Sequence, residues 1–96
     1  MKVEEVLQRL APHRDALVAL GVKSLAVFGS VARNEANDAS DVDLLVEFIE
    51  PVGLFRFAHV RRFLCGVLGC EVDLVTRAGL REEMRETILK EAIRAA

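Results

Sequence analysis

Asp41 and Asp43 stand one residue apart in the run Asp41-Val42-Asp43-Leu44-Leu45-Val46-Glu47-Phe48, and a third acid, Asp73, sits in the comparable setting Glu71-Val72-Asp73-Leu74-Val75. Alternate side chains of an extended strand share a face, so Asp41 and Asp43 point the same way, while Val42, Leu44, Val46 and Phe48 point the other way. Both acidic runs read as strands among the most buried parts of the chain, where a carboxylate is costly unless it is paired or bound to metal. Two carboxylates on one strand, joined by a third from a neighbouring strand, form an all-oxygen donor set suited to two Mg²⁺ ions in a phosphate-handling site. Asp-x-Asp alone would more often be a strand end facing solvent, so the residues that precede it carry weight.

Those residues are Gly29-Ser30, where a short apolar run, Ser24-Leu25-Ala26-Val27-Phe28, stops and a helical segment begins. The first N–H groups of a helix lack intrahelical partners and favour anions. Glycine lets a phosphate approach the backbone, and Ser30 can donate a hydroxyl and cap the helix. No Gly-Lys-Ser/Thr follows, so this is not a Walker-type loop. Arg33 could neutralise phosphate or pair with Glu35 or Glu47. Glu71 shares a face with Asp73, although a solvated strand end is the simpler reading, and Arg77 is a candidate for contact with a nucleotide or partner.

The elements that must position these groups follow from the apolar pattern. Val3, Val6, Leu7, Leu10, Leu17 and Leu20 predict an amphipathic helix over 3–20, ended by Gly21. Strands are predicted over 24–28, 41–48 and 70–76, a short helix over 30–36, and a polar loop at Asn37-Asp38-Ala39-Ser40. After Pro51, the positions Leu54, Phe57, Ala58, Arg61, Leu64, Val67 and Leu68 predict a helix that Gly69 terminates. Leu80, Met84, Ile88, Leu89, Ala92 and Ile93 predict a terminal helix over 80–93, its charged face solvated. The order gives an α/β domain, a small mixed sheet covered by helices.

Composition bounds the function. The 96 residues suit one domain, residues 1–96, and with 52% hydrophobic and 29% charged residues the chain is globular rather than disordered. A formal charge of −2 without a Lys or Arg run argues against a protein that coats nucleic acid. No stretch approaches the roughly 20 apolar residues of a membrane span, and the acidic start Met1-Lys2-Val3-Glu4-Glu5 does not suit a signal peptide, so the expected compartment is the cytoplasm. Cys65 and Cys70 read as buried reduced thiols, and His13 and His59 have no acidic or Cys neighbour at metal-ligand spacing.

The string Phe28-Gly29-Ser30-Val31-Ala32-Arg33-Asn34-Glu35, a spacer, and Ser40-Asp41-Val42-Asp43-Leu44-Leu45-Val46 together resemble the signature of minimal nucleotidyltransferases of the DNA polymerase β superfamily. Asp73 falls where that family would place its third carboxylate, and the terminal Ile88-Leu89-Lys90-Glu91-Ala92 also looks like these short proteins. The resemblance implies a palm-like fold in which Asp41 and Asp43 ligate two Mg²⁺ ions, Asp73 completes the site, and Gly29 and Ser30, with Arg33 second to them, bind the triphosphate of ATP. An acceptor hydroxyl near Asp73 would attack the α-phosphorus while pyrophosphate leaves.

Larger members of that superfamily append a domain that grips the acceptor. Short ones resemble the antitoxin of two-gene toxin-antitoxin modules, whose partner is a HEPN-domain ribonuclease toxin. The implied reaction is transfer of AMP to a tyrosine hydroxyl of that toxin. The alternatives are a non-catalytic antitoxin that neutralises by forming a complex, and a scaffold or oligomerisation domain, homo- or hetero-oligomeric, suggested by the apolar content and small size.

Overall fold

Period-two alternation in Val42–Phe48 builds the centre of a four-stranded sheet. The fold is that of a computed structural model, which describes residues 1–35 and 41–96; the loop expected at Asn37-Asp38-Ala39-Ser40 lies outside the described residues. Strands β1 (Val22–Phe28), β2 (Val42–Phe48), β3 (Val72–Thr76) and β4 (Ile93–Arg94) take the order β3-β2-β1-β4. β2 runs antiparallel to β1 and parallel to β3, and β4 pairs antiparallel with the far edge of β1. A parallel pair needs a long crossover, which helix α4 (Leu54–Leu68) supplies.

The two faces of the sheet are unequal. On one, Leu25, Val27, Val42, Leu44, Val46, Val72 and Leu74 join Val6 and Leu10 of α1 (Val3–Leu10), Leu17 of α2 (Arg14–Ala19) and Val60, Leu64 and Leu68 of α4 in the main core. The fourfold spacing of 60, 64 and 68 keeps one stripe of α4 on the sheet. On the other face, Phe28 and Leu45 meet Ile88 of α5 (Glu82–Glu91), with Ala26, Val75, Leu80, Leu89 and Ala92 around them. Asp43 shares this thinner face with Leu45, so the first core fixes the strands and the second leaves room for polar groups beside them.

Several expectations change at the element ends: the strands predicted from 41 and 70 begin at Val42 and Val72, and the terminal helix predicted from 80 begins at Glu82. The helix predicted over 3–20 breaks into α1, a 3-10 turn at Ala11–His13 and α2, because Pro12 supplies no N–H to an uninterrupted helix. The first strand begins two residues early, at Val22. The helix predicted over 30–36 is the single turn α3 (Gly29–Ala32), after which Asn34 takes a left-handed φ of 60°. The terminal helix stops at Glu91, not at residue 93: Ala92 is extended, and Ile93 and Arg94 pair with Val27 and Ala26. Helical spacing at Ile93 is overridden by the backbone partners that the edge of β1 offers. No helix among the described residues is long and apolar enough to cross a membrane.

Candidate active site

The acids are assembled by strand register. Phe28 is the ladder partner of Asp43 across the antiparallel pair, and Asp43 is the partner of Asp73 across the parallel pair. The end of β1, Asp43 and Asp73 therefore form one row over three adjacent strands. Directly after Phe28 the chain turns into α3 through Gly29, buried and at φ +71°. A Cβ at that position would overlap the Asp43 carboxylate. Glycine is thus required twice, for its left-handed φ and for the close approach of backbone to acid.

Asp43 is half-buried, whereas Asp41 and Asp73 are exposed. The strands are buried, as their composition implies, but through their opposite faces; the expectation that all three acids share that burial holds only for Asp43. Burial pushes the Asp43 carboxyl above its ordinary value of 3.8, and the Asp73 charge, a hydrogen bond with Asp73 and the Asp41 charge push the same way, with Arg33 opposing. Three carboxylates set against one another in this way make an oxygen donor set for a hard cation, and a cation would relieve their repulsion. Among the described residues no three His, Cys, Asp or Glu side chains stand close enough to enclose an ion as they are. The arrangement is an open row of acids rather than a closed cage, and the donor types fit Mg²⁺.

Ser30 is the second residue of α3 and half-buried; the capping position falls to Phe28, whose side chain makes no capping hydrogen bond, so Ser30 is not the cap that its sequence context suggests. Arg33 donates from Nε to Glu35 Oε2 at 3.0 Å and from Nη1 to Glu91 Oε1 and Oε2 at 3.2 and 3.3 Å. These bonds hold the guanidinium pKa above its ordinary value, that to Glu35 contributing most. Of the pairings open to Arg33 in the sequence, the one with Glu35 forms. Glu91, the other partner, also accepts the Gly29 N–H at 3.0 Å. Glu91 was not among the candidate residues; the signal that could have found it is a carboxylate in the last turn of a helix, where the helix dipole disfavours it.

The remaining candidates separate from this row. Glu71 precedes β3, is exposed, and pairs with Arg61 at 2.8 Å, the solvated strand end expected of it. Arg77 is exposed on a 3-10 turn, Arg77–Gly79, that follows β3. Cys65 and Cys70 are free thiols, half-buried rather than buried, and burial pushes the Cys70 thiol up. The His13 ring meets Phe63 edge-on at 5.6 Å, a packing contact. Two surface cavities, of about 480 Å³ beside Arg14, Lys23 and Arg94 and about 420 Å³ beside Ile49 and Arg56, lie away from the acids.

A family model described as the nucleotidyltransferase domain matches residues 1–95, which takes in the glycine turn and every acid of the row. The chain belongs to this nucleotidyltransferase family. It is 37% identical over 94 residues to the protein adenylyltransferase MntA of Thermococcus cleftensis, covering 97% of this chain and 95% of that one. A Methanocaldococcus jannaschii protein described as a candidate protein adenylyltransferase is 38% identical, with 97% of each chain covered. Among solved structures, one described as a candidate minimal nucleotidyltransferase superposes with a TM-score of 0.82 at 41% identity, over 97% of this chain and 95% of that one. A toxin-antitoxin crystal structure with AMP-PNP gives 0.70 at 14% identity, over 100% of this chain and 73% of that one, a likeness of fold alone. The mixed four-stranded sheet with its helices is therefore the nucleotidyltransferase fold, and α5 and β4 lie within the matched region.

Proposed function

We propose that this nucleotidyltransferase transfers AMP from ATP to a tyrosine hydroxyl of a protein partner, a HEPN-domain ribonuclease toxin, and so acts as the antitoxin in the cytoplasm. The observation that carries the reading is the row formed by the Gly29 turn, Asp43 and Asp73 across three strands. The relative from Thermococcus cleftensis, named a protein adenylyltransferase over nearly its whole length, supports the choice of a protein acceptor.

In this reading Asp41, Asp43 and Asp73 hold two Mg²⁺ ions, which when bound supply charge compensation for the phosphates. Gly29 presents backbone without a side chain, and Ser30 a hydroxyl, to the triphosphate. Asp73 is exposed at the open end of the row and orients the acceptor hydroxyl. The acceptor oxygen bonds to the α-phosphorus, the bond from that phosphorus to the bridging oxygen of pyrophosphate breaks, and the hydroxyl proton passes by way of Asp73 to solvent. Asp43 serves as a carboxylate, its charge held against that of Asp73. The protein supplies position and charge, and forms no covalent intermediate.

A second reading, a non-catalytic antitoxin that covers its toxin, is favoured by the exposed apolar residues Ile49, Leu54 and Phe55, the last 91% exposed. Intact-mass measurement of the HEPN partner after incubation with this protein, ATP and Mg²⁺ separates the two. A gain in whole AMP units, absent with D41N/D43N, is expected. A stable complex with no gain would replace the transfer reading with the binding one.

A further inference from the structure

Glu91 belongs to no part of the proposed chemistry, yet it is the carboxylate that accepts the backbone N–H of the glycine turn. Its Oε1 accepts both the Gly29 N–H at 3.0 Å and Arg33 Nη1 at 3.2 Å. Its side chain is 21% exposed against 47% for Arg33 and 63% for Glu35, so it is the least solvated member of the group. As the last residue of α5 it sits where its own helix dipole disfavours a negative charge, so what stabilises it comes from α3 and Arg33 rather than from α5.

The placement of that carboxylate is fixed from both sides. Three residues before it, Ile88 packs on Phe28, the residue that precedes Gly29; two residues after it, Ile93 pairs with Val27. The same helix end thus grips the last residues of β1 through an apolar contact, a hydrogen bond and a strand pairing in succession. Gly29 in turn has the Asp43 carboxylate against its side-chain face and is hydrogen-bonded at its N–H to Glu91.

We propose that Glu91 is a positioning residue for the nucleotide: by fastening the Gly29 N–H and Arg33 to the end of α5, it sets the turn from which Gly29 and Ser30 receive the triphosphate. It acts through Gly29 and Arg33 and does not touch the substrate. The inference rests on the reading of the Gly29-Ser30 turn as the triphosphate site. It explains why a helix remote in sequence is tied to this turn, and it makes α5 part of the nucleotide site.

The test is a calorimetric titration of Mg²⁺ and AMP-PNP into the full chain, its E91A and E91Q variants and D41N/D43N, with unfolding midpoints recorded for each. E91A, which deprives the Gly29 N–H and Arg33 of their shared acceptor, is expected to bind roughly tenfold more weakly. E91Q keeps an amide oxygen for the Gly29 N–H and is expected to recover part of that loss, whereas Mg²⁺ titrated without nucleotide binds every Glu91 variant within about twofold of the parent. Equal affinity in E91A and the parent overturns the proposal, and so does tighter binding, which would make Glu91 a competing anion. If E91A does not fold, E91Q decides: a loss of roughly threefold supports the proposal and unchanged affinity overturns it. No binding by the parent would instead remove the nucleotide reading of the site, and the role of Glu91 with it.

Discussion

Asp43 and Asp73 are ladder partners on the parallel strands β2 and β3, and burial of the first, reinforced by the charge of the second, holds the Asp43 carboxyl above its ordinary pKa of 3.8. The row of acids works against the fold that carries it. A carboxyl whose folded pKa is raised binds its proton more tightly folded than unfolded, so stability falls as pH rises from the unfolded value through the raised one. D43N removes that penalty. Its unfolding midpoint is expected to exceed that of the parent at pH 7 and to coincide with it at about pH 3, below both pKa values. Urea unfolding of the two proteins at both pH values checks this; equal midpoints at pH 7 would mean that neither burial nor the neighbouring acids penalise the Asp43 charge.

Gly29→Ala tests the turn from the opposite direction. A left-handed φ costs a residue with Cβ about 1–2 kcal/mol, and the new Cβ would also displace the Asp43 carboxylate. Stability is therefore expected to fall by about 1–3 kcal/mol, with AMP transfer reduced by about 100-fold or more, since an error of about 1 Å in a reacting group is worth that much. Denaturant midpoints and single-turnover transfer on the same preparation provide the measurement. Transfer at the parental rate would show that the site tolerates an altered approach of Gly29 to Asp43.

How far the site was legible follows from range. The pattern of Val42–Phe48 is local, so it disclosed β2 without any knowledge of the fold, although the strand begins at Val42 and leaves Asp41, expected to share a strand face with Asp43, just before it. That Asp73 lies beside Asp43 depends on the register of β2 against β3, which the sequence pattern around Asp73 suggests but cannot set. Glu91 is less visible still: 62 residues separate it from Gly29, and in the sequence it is one more charge on a charged helix. Ile93 fits a helical period as well as it fits a strand, and only the open edge of β1 decides between them. The break at Pro12 is local chemistry, a residue with no N–H to donate, but the apolar period that continues on either side of it conceals the break.

The main core predicts the reverse of the acid row. Leu64 is fully buried on α4 among Val60, Leu68 and the sheet, away from the carboxylates. Leu64→Ala is expected to cost about 2–5 kcal/mol through lost burial and the cavity left behind. At a temperature where the variant remains folded, its rate of AMP transfer should stay close to that of the parent. Urea unfolding and transfer assays at about 15 °C, near the usual temperature of maximum stability, distinguish the two effects. A loss of transfer in a folded L64A protein would mean that α4 controls the site through more than the position of β3.

Metal dependence tests the row as a unit. Because three carboxylates repel one another without a cation, a divalent ion that binds the folded state alone should raise the unfolding midpoint in proportion to the logarithm of its concentration. Millimolar Mn²⁺ is expected to stabilise the parent protein and a chelator to reverse the effect, while D41N/D43N, already relieved of two charges, should not respond. Phe55→Ser, which alters an exposed residue distant in sequence from the row, provides the control and should respond as the parent does. If D41N/D43N and the parent shift equally, the ion binds elsewhere, and Asp41, Asp43 and Asp73 lose their assignment as its ligands.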